Sequence, residues 1–181
     1  PPECDAEFVA NMEDVLHVYE KPYDSEAPVL CMDEQPVQLV KEVKTPIAAS
    51  KSHPKRIDYE YERAGVANVF MFAEPLARWR KVSIRSTKTK IDWAIEMADL
   101  LETRYADCEK VILVCDNLNT HTKGAFYEAF EPERAFALAS RVEFHYTPKH
   151  GSWLNTAENE LSSMTRQCVA NRRIGDLATL Q

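Results

Sequence analysis

The apolar positions of this chain switch between the helical and the strand period, and the switches fall at recognisable breakers. Across residues 6–19, Phe8, Val9, Met12, Val15, Leu16 and Tyr19 recur at helical spacing, and the two prolines of "KPYDSEAP" end the predicted helix. "VLCMDEQPVQLV" (29–40) predicts a strand with Asp33 in its middle and Pro36 as a local interruption. Residues 44–56 are polar and basic and read as a loop or excursion. "RIDYEYER" then alternates Ile57, Tyr59 and Tyr61 with acids, the signature of a half-buried strand. "AGVANVFMFAEPL" follows at once with Gly65 near its start, so a hairpin is expected there, and "RKVSIRST" supplies another strand.

Residues 88–107 predict a long helix with Ile91, Ala94, Ile95, Ala98, Leu100 and Leu101 on its apolar side. The unrelieved apolar run at the start of "VILVCDNLNTHT" (111–122) predicts a strand covered on both faces. Two helical pieces split by Pro132 come next, then the strand "VEFHYTP", then a closing helix with Leu154, Leu161, Met164 and Cys168 facing the core. The order is helix, three strands, helix, strand, helices, strand, helix. It predicts one α/β domain over residues 1–181, a mixed five-stranded sheet with helices on both faces.

Composition adds limits. At 181 residues, 45% hydrophobic and 28% charged, the chain suits one globular domain with a real core. No apolar run approaches the roughly 20 residues that cross a bilayer, so no membrane association is expected. Pro1 stands where an initiator Met would, and the chain reads as a piece of something longer. Cys4, Cys31, Cys108, Cys115 and Cys168 are scattered with no Cys-x-x-Cys spacing, which signals neither a zinc site nor a disulfide framework; a reducing cytoplasm is the expected compartment. The net charge of −7 argues against an autonomous nucleic-acid binder. The charge is unevenly spread, however. "RWRKVSIRSTKTK" (78–90) holds six bases and no acid, and reads either as a solvated face or as a phosphate-contacting strip through Arg78, Arg80, Lys81, Arg85 and Lys88.

Three acids stand out by position. Asp33 interrupts a strand, where Asp is disfavoured; Asp116 ends the buried strand; Glu158 opens the last helix. Each has a structural alternative. Asp116-Asn117 fits an Asx-turn, and Asn155 three residues before Glu158 has capping-box spacing. If the first and fourth strands are neighbours, Asp33 and Asp116 lie side by side, and two adjacent carboxylates raise each other's pKa unless a cation sits between them. Mg²⁺ takes hard oxygen ligands of this kind, and paired ions serve phosphoryl transfer.

The ordered segments "CMDEQ", "VLVCDNLNTH" and "YTPKHGSWLNTAENEL" together resemble the catalytic domain of DDE transposases, in the bacterial insertion-sequence branch of the Tc/mariner superfamily. The matching positions are Asp33; Asp116 with Asn117 and His121; and Pro148, Leu154, Asn155 and Glu158, while "YEYERAGVANVFMFAEPLARWR" resembles the family's second and third strands. The resemblance implies a ribonuclease-H-like fold. It implies Asp33, Asp116 and Glu158 as catalytic acids holding two Mg²⁺ ions, which Mn²⁺ can replace. It also implies hydrolysis at transposon ends, followed by attack of the freed 3′-hydroxyl on target DNA, usually at TA, by a homodimer in the bacterial cytoplasm at the nucleoid. The family's helix-turn-helix modules are not visible in the sequence, which would place most affinity for element ends elsewhere and answer the charge objection.

His121, five residues past Asp116, is a candidate to approach the metals or the DNA, and Lys149, His150 and Trp153 are further candidates for DNA contact. For the histidines the alternative is a satisfied surface group, and for Trp153 it is an anchor for the last helix. Glu34 points to the opposite face from Asp33 in a regular strand and is left out of the metal set. Two other whole-protein readings stay open: a ribonuclease-H-like nuclease without strand transfer, and a non-catalytic transposase-derived DNA-binding or assembly module.

Overall fold

A computed structural model describes residues 5–181; Cys4 lies outside them. Helix α1 (Ala6–Glu20) leads into strand β1 (Val29–Glu42), then β2 (Tyr61–Glu74), β3 (Trp79–Arg85), helix α2 (Lys90–Glu102) and β4 (Val111–Asp116). Helices α3 (Lys123–Ala129) and α4 (Pro132–Ser140) precede β5 (Val142–Thr147), and α5 (Thr156–Met164) and α6 (Leu177–Leu180) close the chain. The strands form one sheet in the order β3-β2-β1-β4-β5. The β3-β2-β1 part is antiparallel, whereas β1-β4 and β4-β5 are parallel. This is the mixed five-stranded sheet that the sequence predicts.

Each face carries its own core. Leu30, Met32, Leu113 and Cys115 point to the side where Trp93, Met97, Phe126 and Leu138 of α2, α3 and α4 pack. Cys31, Ile112 and Val114 point to the other side, where Val15 and Val18 of α1 meet Ala157 and Leu161 of α5. Every residue from Val111 to Cys115 is buried, so β4 is covered on both faces as its unbroken apolar run predicts. The described cysteines are all free thiols. Among the described residues no helix is long and apolar enough to cross a membrane.

Four sequence expectations are corrected. Gly65 makes no hairpin; β2 runs through it, and it sits at φ +98 where the β1–β2 register shifts between Gln38 and Val40. An extra residue in an antiparallel pair needs one backbone outside the ordinary extended region, and Gly supplies it. "RIDYEYER" is strand only from Tyr61, and Tyr59 is 85% exposed, because the segment before it has no strand partner. On α2 the buried stripe is Trp93, Ala94, Met97, Ala98, Leu100 and Leu101, while Ile91 and Ile95 face solvent. The last helix is shorter than expected. It starts at Thr156, after a 3₁₀ turn (Ser152–Leu154), and passes into a π turn (Thr165–Val169) that leaves Cys168 exposed.

Candidate metal centre

The parallel pairing of β1 with β4 ends at Cys31↔Val114. Two residues further along each strand stand Asp33 and Asp116, level with one another. They share the parity of Cys31 and Val114 and so belong to the face covered by α1 and α5. The ladder is continued there by a side chain: Asn155 Nδ2 donates to the Met32 carbonyl at 2.8 Å, while Asn155 Oδ1 accepts from Ala157 N at 3.1 Å. One buried amide thus caps α5 and ties its first turn to β1, which holds Glu158 within charge range of Asp33. The tight turn before it has Gly151 N donating to Pro148 O at 2.8 Å, and a Cβ at Gly151 would lie 2.5 Å from Pro148 Cγ. Tyr19 of α1 secures the same turn by donating to the Leu154 carbonyl at 2.8 Å.

The electrostatics register the convergence. Burial is the main cause that pushes the Asp33 carboxyl up to about 6; the Glu34 N–H bond opposes it, and the charges of Asp116 and Glu158 raise it further. Glu158 does not close a capping box with Asn155, whose N–H goes to the Ser152 carbonyl. Glu158 Oε2 is instead buried without a hydrogen-bond partner. A buried carboxylate oxygen with no donor is costly, and a cation is the partner that fits it. The donor set is carboxylate oxygen throughout, the chemistry of hard divalent ions. Among the described residues no three His, Cys, Asp or Glu side chains already close around one point.

His121 is buried, with 1% of its side chain exposed, so it is neither a surface group nor placed for DNA contact, and of the sequence alternatives it takes the one beside the acids. Its Nδ1 lies 2.7 Å from Asp116 Oδ1 and 3.2 Å from the Asp116 carbonyl, and its Nε2 lies 3.1 Å from Glu34 Oε1. Burial alone would depress its pKa; acceptors on Asp116, Cys115 and Glu34 overcome that and push it up to about 12. Glu34 is on the face away from Asp33, as its position in the strand predicts, and its role there was not legible in the sequence. The available signal was a Glu at a core-facing position, which requires a buried partner.

The basic strip divides. Lys81 pairs with Asp99 and Glu96, and Arg85 with Glu96 and Asp92, all on α2, so these two are neutralised by a helix rather than presented to a phosphate. Arg80 faces the other way, toward Glu160 of α5 at 3.2 Å. Arg78 is exposed in the β2–β3 turn, at the end of the sheet away from Asp116. Lys88 alone of the strip approaches the centre, with Nζ 3.8 Å from Glu34 Oε2. Lys149 and His150 are exposed and line a cleft of about 920 Å³ together with Asp116, Asn117 and the first turn of α1. Trp153 is 60% exposed beside them and does not anchor α5.

The acids lie on the sheet of a mixed α/β domain, with Asp116 at an open cleft. The DDE superfamily endonuclease family matches residues 28–181, and the chain belongs to that family. Solved structures of the Mos1 mariner transposase share its ribonuclease-H-like fold. The paired-end complex with Mn matches at TM-score 0.60 and 14% identity, over 99% of this chain and 54% of that one. The strand transfer complex matches at TM-score 0.61 and 12% identity, over 96% and 50%. The paired-end complex with Mg matches at TM-score 0.57 and 10% identity, over 99% and 54%. The chain spans about half the length of these transposases. No curated protein sequence matches it.

Proposed function

We propose that the chain is the catalytic domain of a Tc/mariner-type transposase of the insertion-sequence branch, with Asp33, Asp116 and Glu158 as its catalytic acids and metal ligands. The observation that carries this is the buried, donorless Glu158 Oε2 brought by the Asn155 tether to the face shared by Asp33 and Asp116. Two Mg²⁺ ions, or Mn²⁺ in their place, would activate the attacking oxygen and stabilise the leaving one in phosphodiester cleavage. Rigid strands β1 and β4 hold two of the acids, and positioning is most of what such a reaction asks of a protein.

The substrate is transposon-end DNA, cut by water and then joined through its 3′-hydroxyl to target DNA at TA, within a dimer in the bacterial cytoplasm at the nucleoid. The Mos1 transposase, whose fold this chain shares, was solved in paired-end and strand transfer complexes, which supports the DNA part of this reading. Lys149, His150 and Trp153 line or border the cleft at Asp116 and are the DNA contacts that this reading favours, with Lys88 nearby and Arg78, Arg80, Lys81 and Arg85 removed from it. Residues 1–181 act as one catalytic domain.

Mg²⁺-dependent cleavage of terminal-repeat DNA by the transposase bearing this domain tests the proposal. Asp116→Ala is expected to abolish cleavage, and undiminished cleavage by it would overturn the assignment. Calorimetric titration of the chain with Mn²⁺ is the companion measurement, with binding lost in Asp33→Asn and Glu158→Gln.

A further inference from the structure

We propose that Glu34 and His121 form a positioning relay that fixes the Asp116 carboxylate for the divalent-ion site, reaching it from the opposite face of the sheet. The inference rests on the metal reading above and adds two residues to it. His121 Nδ1 bonds the Asp116 carbonyl at 3.2 Å and stands at ion-pair distance, 2.7 Å, from carboxylate Oδ1, which has no hydrogen-bond partner of its own. The carbonyl bond fixes the position of the residue, and the charge contact holds its carboxylate beside the ring. Asp116 Oδ1 is buried although the side chain is 39% exposed, so Oδ2 is the oxygen presented to the cleft.

The ring itself is held from several sides. Glu34 Oε1 takes Nε2 at 3.1 Å, and Trp93 packs on the imidazole with centroids 5.7 Å apart. Tyr146 donates to the His121 carbonyl at 2.8 Å, and the His121 N–H donates to the Leu118 carbonyl at 3.1 Å. Glu34 has 3% of its side chain exposed. A polar pair buried this deeply adds little stability over apolar residues of the same volume. Its expense is explained by what it does to Asp116. Ligating carboxylates and histidines are commonly oriented by such outer partners, and loss of a partner costs about 10–100-fold in metal affinity. Strand β1 thereby supplies a ligand to one face and the support of a second ligand to the other, from consecutive residues.

The test is Mn²⁺ affinity of the chain by calorimetry, with urea stability measured on the same samples. Glu34→Leu removes the acceptor and is expected to weaken Mn²⁺ binding about 10–100-fold. Glu34→Gln keeps an acceptor and is expected to stay within a few-fold of the parent. His121→Asn places an amide nitrogen near the Nδ1 position, and His121→Gln near Nε2, so His121→Asn is expected to bind Mn²⁺ more tightly than His121→Gln even where it is the less stable of the two. Unchanged affinity in Glu34→Leu overturns the relay, as do losses that follow stability alone across the variants. If Glu34→Leu does not fold, the His121→Asn and His121→Gln pair decides. A parent chain that binds no Mn²⁺ removes the metal reading, and the relay falls with it; a parent that binds while Glu34→Leu binds equally well removes the relay only.

Discussion

Asn155 Nδ2 and the Met32 carbonyl, 123 residues apart in sequence, meet at 2.8 Å at the place where the β1–β4 ladder stops. The bond substitutes a side chain for the next rung and sets the distance between a strand and a helix that contribute different acids. Replacing Asn155 by Leu removes a helix cap, worth about 1 kcal/mol, and strands a buried carbonyl, worth about 1–3 kcal/mol. Urea denaturation is expected to show a loss of about 2–4 kcal/mol, with Asn155→Asp intermediate because it keeps only the cap.

Asp33 predicts an inverse relation between stability and function. Its carboxyl is raised to about 6 in the folded protein, chiefly by burial, above its unfolded value. The folded state therefore holds the proton more tightly, and stability falls as pH rises from about 4 through about 6. Asp33→Asn is expected to stabilise the metal-free protein at pH 7.5 by about 1–3 kcal/mol, with the gain shrinking toward pH 4. The same variant is expected to lose the rise in melting temperature that Mg²⁺ gives the parent. Thermal melts over pH, with and without Mg²⁺, check both halves.

Gly65 isolates a backbone effect. A Cβ there meets nothing within 4 Å, so Gly65→Ala introduces no clash, yet φ is +98. The expected cost is about 1–2 kcal/mol, arising from conformation alone. Gly65→Asn, which tolerates positive φ better, is expected to cost less in the same denaturation series.

The division of the basic strip predicts which cations DNA feels. Lys149→Ala is expected to weaken duplex binding by the chain and reduce the slope of log affinity against log salt by about 1. Lys81→Ala is expected to leave that slope unchanged, because Asp99 and Glu96 already neutralise Lys81. Fluorescence anisotropy at several salt concentrations separates the two.

The sheet and the neighbourhood of Asp33 and Asp116 were legible because a buried strand interrupted or ended by an acid has few structural uses. The bulge was misread as a turn because Gly in an alternating run signals both, and only the partner strand distinguishes them. Ile57 and Tyr59 carried strand periodicity without a partner to pair with, and Ile91 and Ile95 carried helical periodicity one step around from the buried stripe. The strip from Arg78 to Lys90 looked free of acids because Asp92, Glu96 and Asp99 come later in the chain and return to it only when α2 packs on the sheet. Glu34 and His121 are 87 residues apart, and although each was noticed alone, only the packed fold pairs them.

The antiparallel register of β1, held from Cys31↔Ala73 through Gln38↔Val66, has a consequence for how this chain tolerates length changes. A slip of one residue turns every side chain of a strand to the other face. In β1 it would deliver Glu34 to the α5 side and drive Asp33 into the apolar layer around Trp93 and Met97. Insertions between 29 and 33 are thus intolerable, whereas a change of length at the tip of the excursion, around 51–52, leaves the β1–β2 register in place. The pleat of one strand is the gauge against which both acids are cut.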